Sequence, residues 1–168
     1  AVNKQLLPIY DKPLIFYPLS ILMLSNIKDI LIIVNKGQLE QYKKILPNGD
    51  NLGIKITYAE QSKPRGLPDA FIIGEKFIAN KNVALILGDN FFYGQNLTKS
   101  LMNNSKLSNG AKIILHKVLK PEIFGVAKVD SKQKILHIEE KPKKFISDYA
   151  ITGLYFFDNK VVKYSKKL

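Results

Sequence analysis

The stretch VALILGDNFFYG, residues 83–94, decides how this sequence folds. It begins with five apolar residues, Val83 to Leu87, and such a run with β-branched members is typical of a strand buried on both faces. Gly88 and Asp89 follow at once. Ligands of open α/β sheets bind outside the carboxyl ends of the strands, so Asp89 is a candidate Mg²⁺ ligand. The plain structural alternative is that Asp89 caps a following turn.

The segments before this strand alternate in type. Residues 29–34 and 53–59 have strand patterns, whereas residues 37–46 and 66–77 have helical ones. Strand, helix, strand, helix, strand at this spacing predicts parallel strands joined by right-handed crossovers.

The pattern changes after residue 96. The remaining predicted elements are a helix at 97–107 and strands at 111–118, 124–130, 134–140 and 149–158. A short polar turn separates the strands at 124–130 and 134–140, which predicts an antiparallel pair. The fold class expected is therefore α/β, with a mixed, mostly parallel sheet flanked by helices.

Both ends of the sequence indicate a piece of a longer chain. It opens on Ala1 and Val2 directly before the dense motif NKQLLPIYDKP (3–13), and it ends within a helical pattern. We therefore expect a single domain over residues 1–168 that is truncated at both ends.

Composition excludes several classes of protein. The chain has 168 residues, 46% of them hydrophobic, and no cysteine, so a disulfide framework is excluded. No apolar run approaches the roughly 18 residues of a membrane span, and we expect a soluble cytoplasmic protein. The net charge is +12, but Arg65 is the only arginine and the lysines are spread along the chain. This distribution disfavours a nucleic-acid-binding protein. Binding to a random oligonucleotide with a steep salt dependence would support that class again.

Two further stretches carry candidate binding residues. AEQSKPRGLPDA (59–70) follows a strand and opens a helix, and its Gln61 amide suits the edge of a nucleobase while Gly66 offers backbone N–H groups. The alternative is a plain polar loop.

The other stretch is HIEEKP (137–142). Strand alternation puts Glu140 on the more apolar face, where it could bind sugar hydroxyls, and points Lys141 away from it unless Pro142 breaks the pattern. The alternative is an exposed edge strand. His116 and His137 lack the spacing of a metal site or catalytic triad and are interpreted as structural or surface residues.

Together these motifs resemble one family, the bacterial glucose-1-phosphate thymidylyltransferases, over essentially the whole sequence. The motifs that carry the resemblance are KQLLPIYDKP, FYPLSILMLS, AEQSKPRGL, AFIIGEKF, LGDNFFYG, FGVAKVD, EEKPK and ITGLYFFD. The resemblance implies a Rossmann-like nucleotidyltransferase fold, usually in a tetramer. It also implies the Mg²⁺-dependent conversion of dTTP and α-D-glucose 1-phosphate to dTDP-glucose and pyrophosphate, on the way to dTDP-rhamnose and related deoxysugars. Neither nucleic acid nor membrane is expected as a partner.

The resemblance also assigns roles to single residues. Lys4 and Gln5 match positions near the triphosphate, Asp89 the magnesium ligand, and Gln61 and Gly66 the pair that reads the thymine edge. The glucose-binding positions are matched by Phe124, Gly125, Glu140 and Ile151, and a lysine that holds the sugar phosphate by Lys141. Lys4, Asp89 and Lys141 are thus the expected catalytic residues.

The sequence departs from the family in two ways. The Gly-rich loop GGSGTRL and the second magnesium aspartate lie outside the 168 residues, so we expect this piece alone to be almost inactive. Arg65 also stands where an acidic residue is common, and Ile151 where valine is common. A uridylyltransferase or other sugar-phosphate nucleotidylyltransferase stays open. A non-catalytic sugar-nucleotide sensor is disfavoured because it need not keep Asp89, Glu140 and Lys141.

Overall fold

The computed structural model describes residues 3–168 and has a mixed α/β architecture. The helices are α1 (Phe16–Leu24), α2 (Leu39–Ile45), α3 (Leu67–Ile73), α4 (Glu75–Ile78), α5 (Leu97–Ser105) and α6 (Lys160–Ser165). The strands are β1 (Pro8–Ile9), β2 (Lys12–Pro13), β3 (Asp29–Asn35), β4 (Lys55–Gln61), β5 (Val83–Ile86), β6 (Ala111–Lys117), β7 (Gly125–Val129), β8 (Ile135–Glu140) and β9 (Tyr149–Phe157). Short 3₁₀ helices occupy Lys4–Leu6, Asp50–Leu52 and Pro121–Ile123. Within the described range, no helix has the length and apolarity needed to span a membrane.

The first part of the chain is built on a parallel pair of strands. β3 and β4 run in register from Asp29 beside Lys55 to Asn35 beside Gln61, as the alternating sequence predicted. Their apolar side chains pack against α1 and α2, with Tyr42 of α2 almost completely buried. Because the two strands are parallel, their carboxyl ends, at Asn35 and Gln61, lie at the same end of the pair.

The second part is an antiparallel sheet centred on β9. β9 pairs with β5, β6 and β7, and β7 pairs in turn with β8, so the predicted antiparallel pair of 124–130 with 134–140 is confirmed. The expected mixed sheet is confirmed, but its strands are not mostly parallel, because within residues 3–168 only β3 and β4 pair in parallel. The strand at 83–87 joins the antiparallel sheet instead.

A groove of about 550 Å³ separates the two parts. One wall contains Asp29 to Ile33 of β3, and the other contains Val83 to Leu87, at β5 and just beyond it. The side chains of β5 are therefore half-buried, not buried on both faces as the sequence predicted. Much of the groove lining is apolar, and its polar positions include Gln5 and Gln61.

The helix predicted over 66–77 is interrupted at Gly74, which ends α3 and precedes α4. A Cβ atom at this position would lie 3.0 Å from the carbonyl oxygen of Ala70 and 3.3 Å from Cδ2 of Leu31. The glycine thus lets the helical segment approach β3 closely, at the cost of a break that helical periodicity alone does not show.

Candidate functional site

Asp89 lies in the turn after β5, at the predicted end of the strand. Its Oδ2 atom accepts a hydrogen bond from Nζ of Lys4 at 3.0 Å, and the two side chains are 39% and 72% exposed. α5 is the next helix and begins only at Leu97, so Asp89 does not cap a helix. An ion pair this exposed contributes about 1 kcal/mol or less, so either partner can be turned toward a ligand at little cost.

Gln5 lies beside this ion pair and is held by several contacts. Its Oε1 atom accepts from the hydroxyl of Tyr42 at 2.6 Å, and its backbone N–H donates to Oδ1 of Asn3 at 2.9 Å. A Cβ atom added at Gly88 would lie 2.6 Å from Nε2 of Gln5. The amide therefore lies directly over Gly88. We call Lys4, Gln5, Gly88 and Asp89 the β5-end cluster.

Gln61 lies at the carboxyl end of β4, opposite Asn35 at the end of β3. Its Nε2 atom donates to Oδ1 of Asn35 at 3.1 Å. This leaves Oε1 and the second N–H of the amide as an acceptor and donor pair beside the groove. Gly66 precedes α3 with φ +91°, a conformation that favours glycine, and both residues line the groove that also contains Gln5.

The predicted sugar-binding residues are brought together where β7 meets β8. Gly125 is paired with Glu140, and a Cβ atom on Gly125 would lie 2.8 Å from Oε2 of Glu140 and 3.7 Å from Cδ1 of Ile151. Phe124 precedes Gly125 and is 40% exposed. The set Phe124, Gly125, Glu140, Lys141 and Ile151 is called the β7–β8 cluster.

The expectation that Glu140 lies on the more apolar face of its strand, near a pocket, is wrong. Leu136 and Ile138, which share its face by alternation, are 59% and 47% exposed, because β8 pairs with β7 and forms the edge of the sheet. Glu140 is placed by the absence of a side chain at Gly125 and not by an apolar pocket on its own strand. The alternative interpretation of this segment, an exposed edge strand, describes β8 correctly.

Lys141 breaks the strand alternation. Its φ is +46°, in the left-handed region that is uncommon for a residue with a side chain, and its N–H donates to the carbonyl oxygen of Phe124 at 2.9 Å. Strict alternation therefore does not fix where its ammonium group points. Such strained backbone persists where the surroundings determine it and occurs often at functional sites.

Asn90 attaches the turn after β5 to β9 and was not singled out by the sequence. Its Nδ2 atom donates to the carbonyl oxygen of Thr152, the residue after Ile151. Gly153 has φ +78°, and a Cβ atom there would lie 2.5 Å from Nδ2 of Asn90. The turn after β5 is thus attached to β9 beside the β7–β8 cluster. The only signal in the sequence for this contact was Gly153, a glycine beside the apolar Leu154 within a predicted strand.

The remaining titratable candidates are peripheral. His116 and His137 are exposed, and Nε2 of His137 lies 3.3 Å from Oε2 of Glu139 on the same strand. Arg65 is exposed in the loop before α3. Over residues 3–168, no three His, Asp or Glu side chains are grouped closely enough to hold a metal ion by themselves. A cation at Asp89 would need further ligands from a bound molecule, water or another side chain.

Relatives of known type match the entire sequence. Two glucose-1-phosphate thymidylyltransferases, from Neisseria meningitidis and Mycolicibacterium smegmatis, are 50% and 45% identical to it over all 168 residues. The chain spans 58% of the length of each.

Solved structures agree. A Bacillus anthracis protein assigned as a glucose-1-phosphate thymidylyltransferase, solved in complex with a sucrose, superposes with a TM-score of 0.88 at 39% identity, covering 99% of this chain and 67% of that one. An apo UDP-glucose pyrophosphorylase superposes with a TM-score of 0.79 at 22% identity, over 99% of this chain and 72% of that one, and shows the fold alone. The expected nucleotidyltransferase fold is confirmed. Because the sequence model of the nucleotidyl transferase family also matches residues 1–168, the chain belongs to that family.

Proposed function

We propose that the full-length protein is a glucose-1-phosphate thymidylyltransferase, which converts dTTP and α-D-glucose 1-phosphate to dTDP-glucose and pyrophosphate. One observation carries the proposal: the turn after β5 contains Asp89 of the β5-end cluster and is hydrogen-bonded to Thr152, the residue after Ile151 of the β7–β8 cluster. Asp89 of that turn pairs with Lys4, and Asn90 bonds to Thr152 beside Ile151. A nucleotide at the β5-end cluster and a sugar phosphate at the β7–β8 cluster would thus bind beside the same turn.

The chemistry is a displacement at phosphorus. An oxygen of the sugar phosphate attacks the α-phosphorus of dTTP, the bond from that phosphorus to the bridging oxygen breaks, and pyrophosphate leaves with that oxygen. Proteins accelerate such transfers by positioning and charge stabilisation more than by covalent help. In this proposal the ammonium of Lys4 neutralises the triphosphate, and that of Lys141 holds the attacking sugar phosphate.

Asp89 fits one of the one or two carboxylates that bind Mg²⁺ together with substrate phosphate oxygens and water. The carboxylate is part-exposed, and its ion pair with Lys4 can be broken at little cost. The ammonium of Lys4 would then bind the triphosphate instead. Bound Mg²⁺ would neutralise charge that develops on the phosphate oxygens.

The remaining residues set selectivity in this proposal. The Gln61 amide accepts from the imide N–H of thymine and donates to a neighbouring carbonyl, while Gly66 lets the backbone approach the base. Glu140 accepts from sugar hydroxyls across Gly125, with Phe124 and Ile151 as apolar walls. We also propose a tetramer, a cytoplasmic location where nucleoside triphosphates are made, and one nucleotidyltransferase domain to which all 168 residues belong.

The test is pyrophosphate release by the full-length protein supplied with glucose 1-phosphate and either dTTP or UTP. We expect turnover that needs both a nucleotide and the sugar phosphate, with a higher kcat/KM for dTTP. A higher kcat/KM for UTP would instead identify a uridylyltransferase. Nucleotide binding without any turnover would indicate a sugar-nucleotide sensor.

The 168 residues expressed alone should be at least about a thousandfold slower than the full-length protein, because loss of one preorganised charge-stabilising group already costs about two to three decades. In the described structure β3 pairs only with β4, and β5 only with β9, so each strand leaves an edge at the groove. Such edges promote association between chains. Pyrophosphate release and light scattering would check both points. Turnover within tenfold of the full-length protein would show that the other segments are dispensable.

A further inference from the structure

We propose that Tyr42 is a positioning residue that fixes the amide of Gln5, so that the N–H groups of Gln5 are presented to an anionic oxygen of the bound nucleotide. The inference rests on the proposed function for the identity of the ligand. The geometry on which it depends belongs to residues of this chain alone.

The hydroxyl of Tyr42 needs an acceptor. Tyr42 is 1% exposed, and burial, with a smaller contribution from Tyr58, raises the pKa of its phenol to about 12. The phenol is therefore protonated at all physiological pH values and must donate its hydrogen or lose a buried hydrogen bond. Oε1 of Gln5, at 2.6 Å, is the acceptor that the structure records. The opposite amide orientation would place two donors against each other unless the phenol turned its hydrogen to an acceptor elsewhere.

The rest of Gln5 is fixed independently of Tyr42. Its N–H donates to Asn3, and its carbonyl oxygen accepts from the N–H of Ile15 at 2.9 Å. Its amide plane lies over Gly88, where a Cβ atom would come within 2.6 Å of Nε2, 2.7 Å of Cδ and 3.0 Å of Oε1. The side chain is thus held at its backbone, along its plane and at its oxygen, and its nitrogen is the end of the amide turned away from Tyr42.

This arrangement determines what Gln5 can recognise. With Oε1 accepting from Tyr42, the orientation of the amide is fixed, and its two N–H groups are the donors that it can present to a ligand beside Gly88. A phosphate oxygen is the complementary partner. The two side chains therefore have complementary roles in the β5-end cluster: Asp89 binds cations, and the N–H groups of Gln5 bind the anion that such cations accompany.

Three variants of the full-length protein separate this role from a structural one. Tyr42→Phe removes the phenolic oxygen and should weaken dTTP binding about fivefold, because the Gln5 amide is no longer oriented. Gln5→Ala should weaken binding at least as much. The double variant Tyr42→Phe with Gln5→Ala should match Gln5→Ala alone, since Tyr42 acts through Gln5.

Gln5→Glu tests the direction of the hydrogen bond. The carboxylate still accepts from Tyr42 but presents oxygen where the amide presents N–H, so dTTP and inorganic tripolyphosphate should both bind more weakly than to Gln5→Ala. Stronger binding by Gln5→Glu than by Gln5→Ala, measured with Mg²⁺ present, would show that the Gln5 oxygen serves a cation and would overturn the proposal.

The matched control is Tyr58→Phe. Tyr58 is also a part-buried phenol whose hydroxyl donates to a backbone carbonyl oxygen, that of Leu46, and burial raises its pKa. It contacts no residue of the β5-end cluster in these interactions, so dTTP affinity should be unchanged.

Equal losses of dTTP affinity in Tyr42→Phe and Tyr58→Phe, or additive losses in the double variant of Tyr42 and Gln5, would show that Tyr42 acts only as a core residue. Failure of the unaltered protein to bind either dTTP or tripolyphosphate would refute both the proposed function and the anion role of Gln5. Binding that is unaffected by Tyr42→Phe would refute the positioning role alone.

Discussion

Two places in this molecule present the same dipeptide after an apolar strand, and the structure uses them differently. Asp89 and Asn90 follow β5, whereas Asp158 and Asn159 follow β9. Asp158 is 8% exposed and accepts backbone N–H groups from Gly110 at 2.7 Å and Lys160 at 3.0 Å. Asp89 accepts from an exposed lysine instead.

The difference separates a structural carboxylate from an available one. Asp158 satisfies backbone donors where α6 begins, which is the capping-type role that sequence alone left open for Asp89. Asp89 lies in a turn without such donors and faces Lys4 beside the groove. A carboxylate after a strand is therefore a functional candidate when the structure does not use it to satisfy the backbone.

The most direct way to break this comparison is Asp89→Asn in the full-length protein. We expect turnover to fall about a hundredfold or more with the fold intact, because metal charge stabilisation is worth several kcal/mol. Initial rates at saturating substrates and the melting temperature would be measured together.

Asp148→Asn is the matched control for Asp89→Asn. Asp148 also forms an exposed ion pair, with Lys117 at 3.5 Å, and should give normal turnover. If Asp89→Asn keeps near-normal turnover but loses several degrees of melting temperature, Asp89 belongs with Asp158 and the distinction fails.

Gln61 extends the comparison to a second strand end. The amide stands at the carboxyl end of β4 and is bound to Asn35 through one N–H. An amide–base contact of the bidentate kind is worth about 1–3 kcal/mol of discrimination, so Gln61→Ala should lower the dTTP to dCTP ratio of kcat/KM by roughly one to two orders of magnitude. Gln41→Ala, on the exposed side of α2, is the control. An unchanged ratio in Gln61→Ala would remove this residue from base selection.

These strand-end residues were predictable from sequence, and their partners were not. Periodicity located β4 and β5, and the rule that ligands bind at carboxyl ends then selected Gln61 and Asp89. The bond from Tyr42 to Gln5 spans 37 residues of sequence and that from Lys4 to Asp89 spans 85. Local patterns carry no information about contacts over such separations.

The β7–β8 cluster was the harder part to predict. Alternation along a strand assumes regular backbone, and the positive φ of Lys141 violates it. Burial of a strand face depends on whether another layer covers it, and β8 lies at an edge. The parallel share of the sheet was likewise overestimated, because an apolar run such as 83–87 has the same appearance in a central strand of either direction.

Gly125→Ala sharpens the comparison on the face of the sheet, where the lack of a side chain at Gly125 leaves room for the carboxylate of Glu140. The φ of Gly125 is compatible with alanine, but the new Cβ would lie 2.8 Å from Oε2 of Glu140 and must displace that carboxylate. We expect KM for glucose 1-phosphate to rise about tenfold, equivalent to about 1.4 kcal/mol, with KM for dTTP unchanged. Gly94→Ala is the control, because a Cβ there meets nothing within 4 Å. Equal increases in both KM values would indicate general distortion of the sheet.

Asp158→Asn should have the smallest effect on activity and a measurable effect on stability. The Gly110 N–H, followed by Lys160, lowers the pKa of the Asp158 carboxyl below its ordinary value of 3.8, and burial opposes this only in part. A lowered folded-state pKa contributes stability that is fully present above pH 3.8 and is lost as the pH falls through the lowered value. Asp158→Asn should therefore lower the free energy of unfolding by about 1–2 kcal/mol at pH 7, as expected for hydrogen bonds to a charged group, and the deficit should shrink under acid.

Urea unfolding at pH 7 and pH 3 would measure this deficit in unfolding free energy, with Asp148→Asn as the exposed control. A deficit independent of pH would show that packing, and not the charge of Asp158, anchors the segment after β9, while a large loss of turnover would place Asp158 beside Asp89 in function.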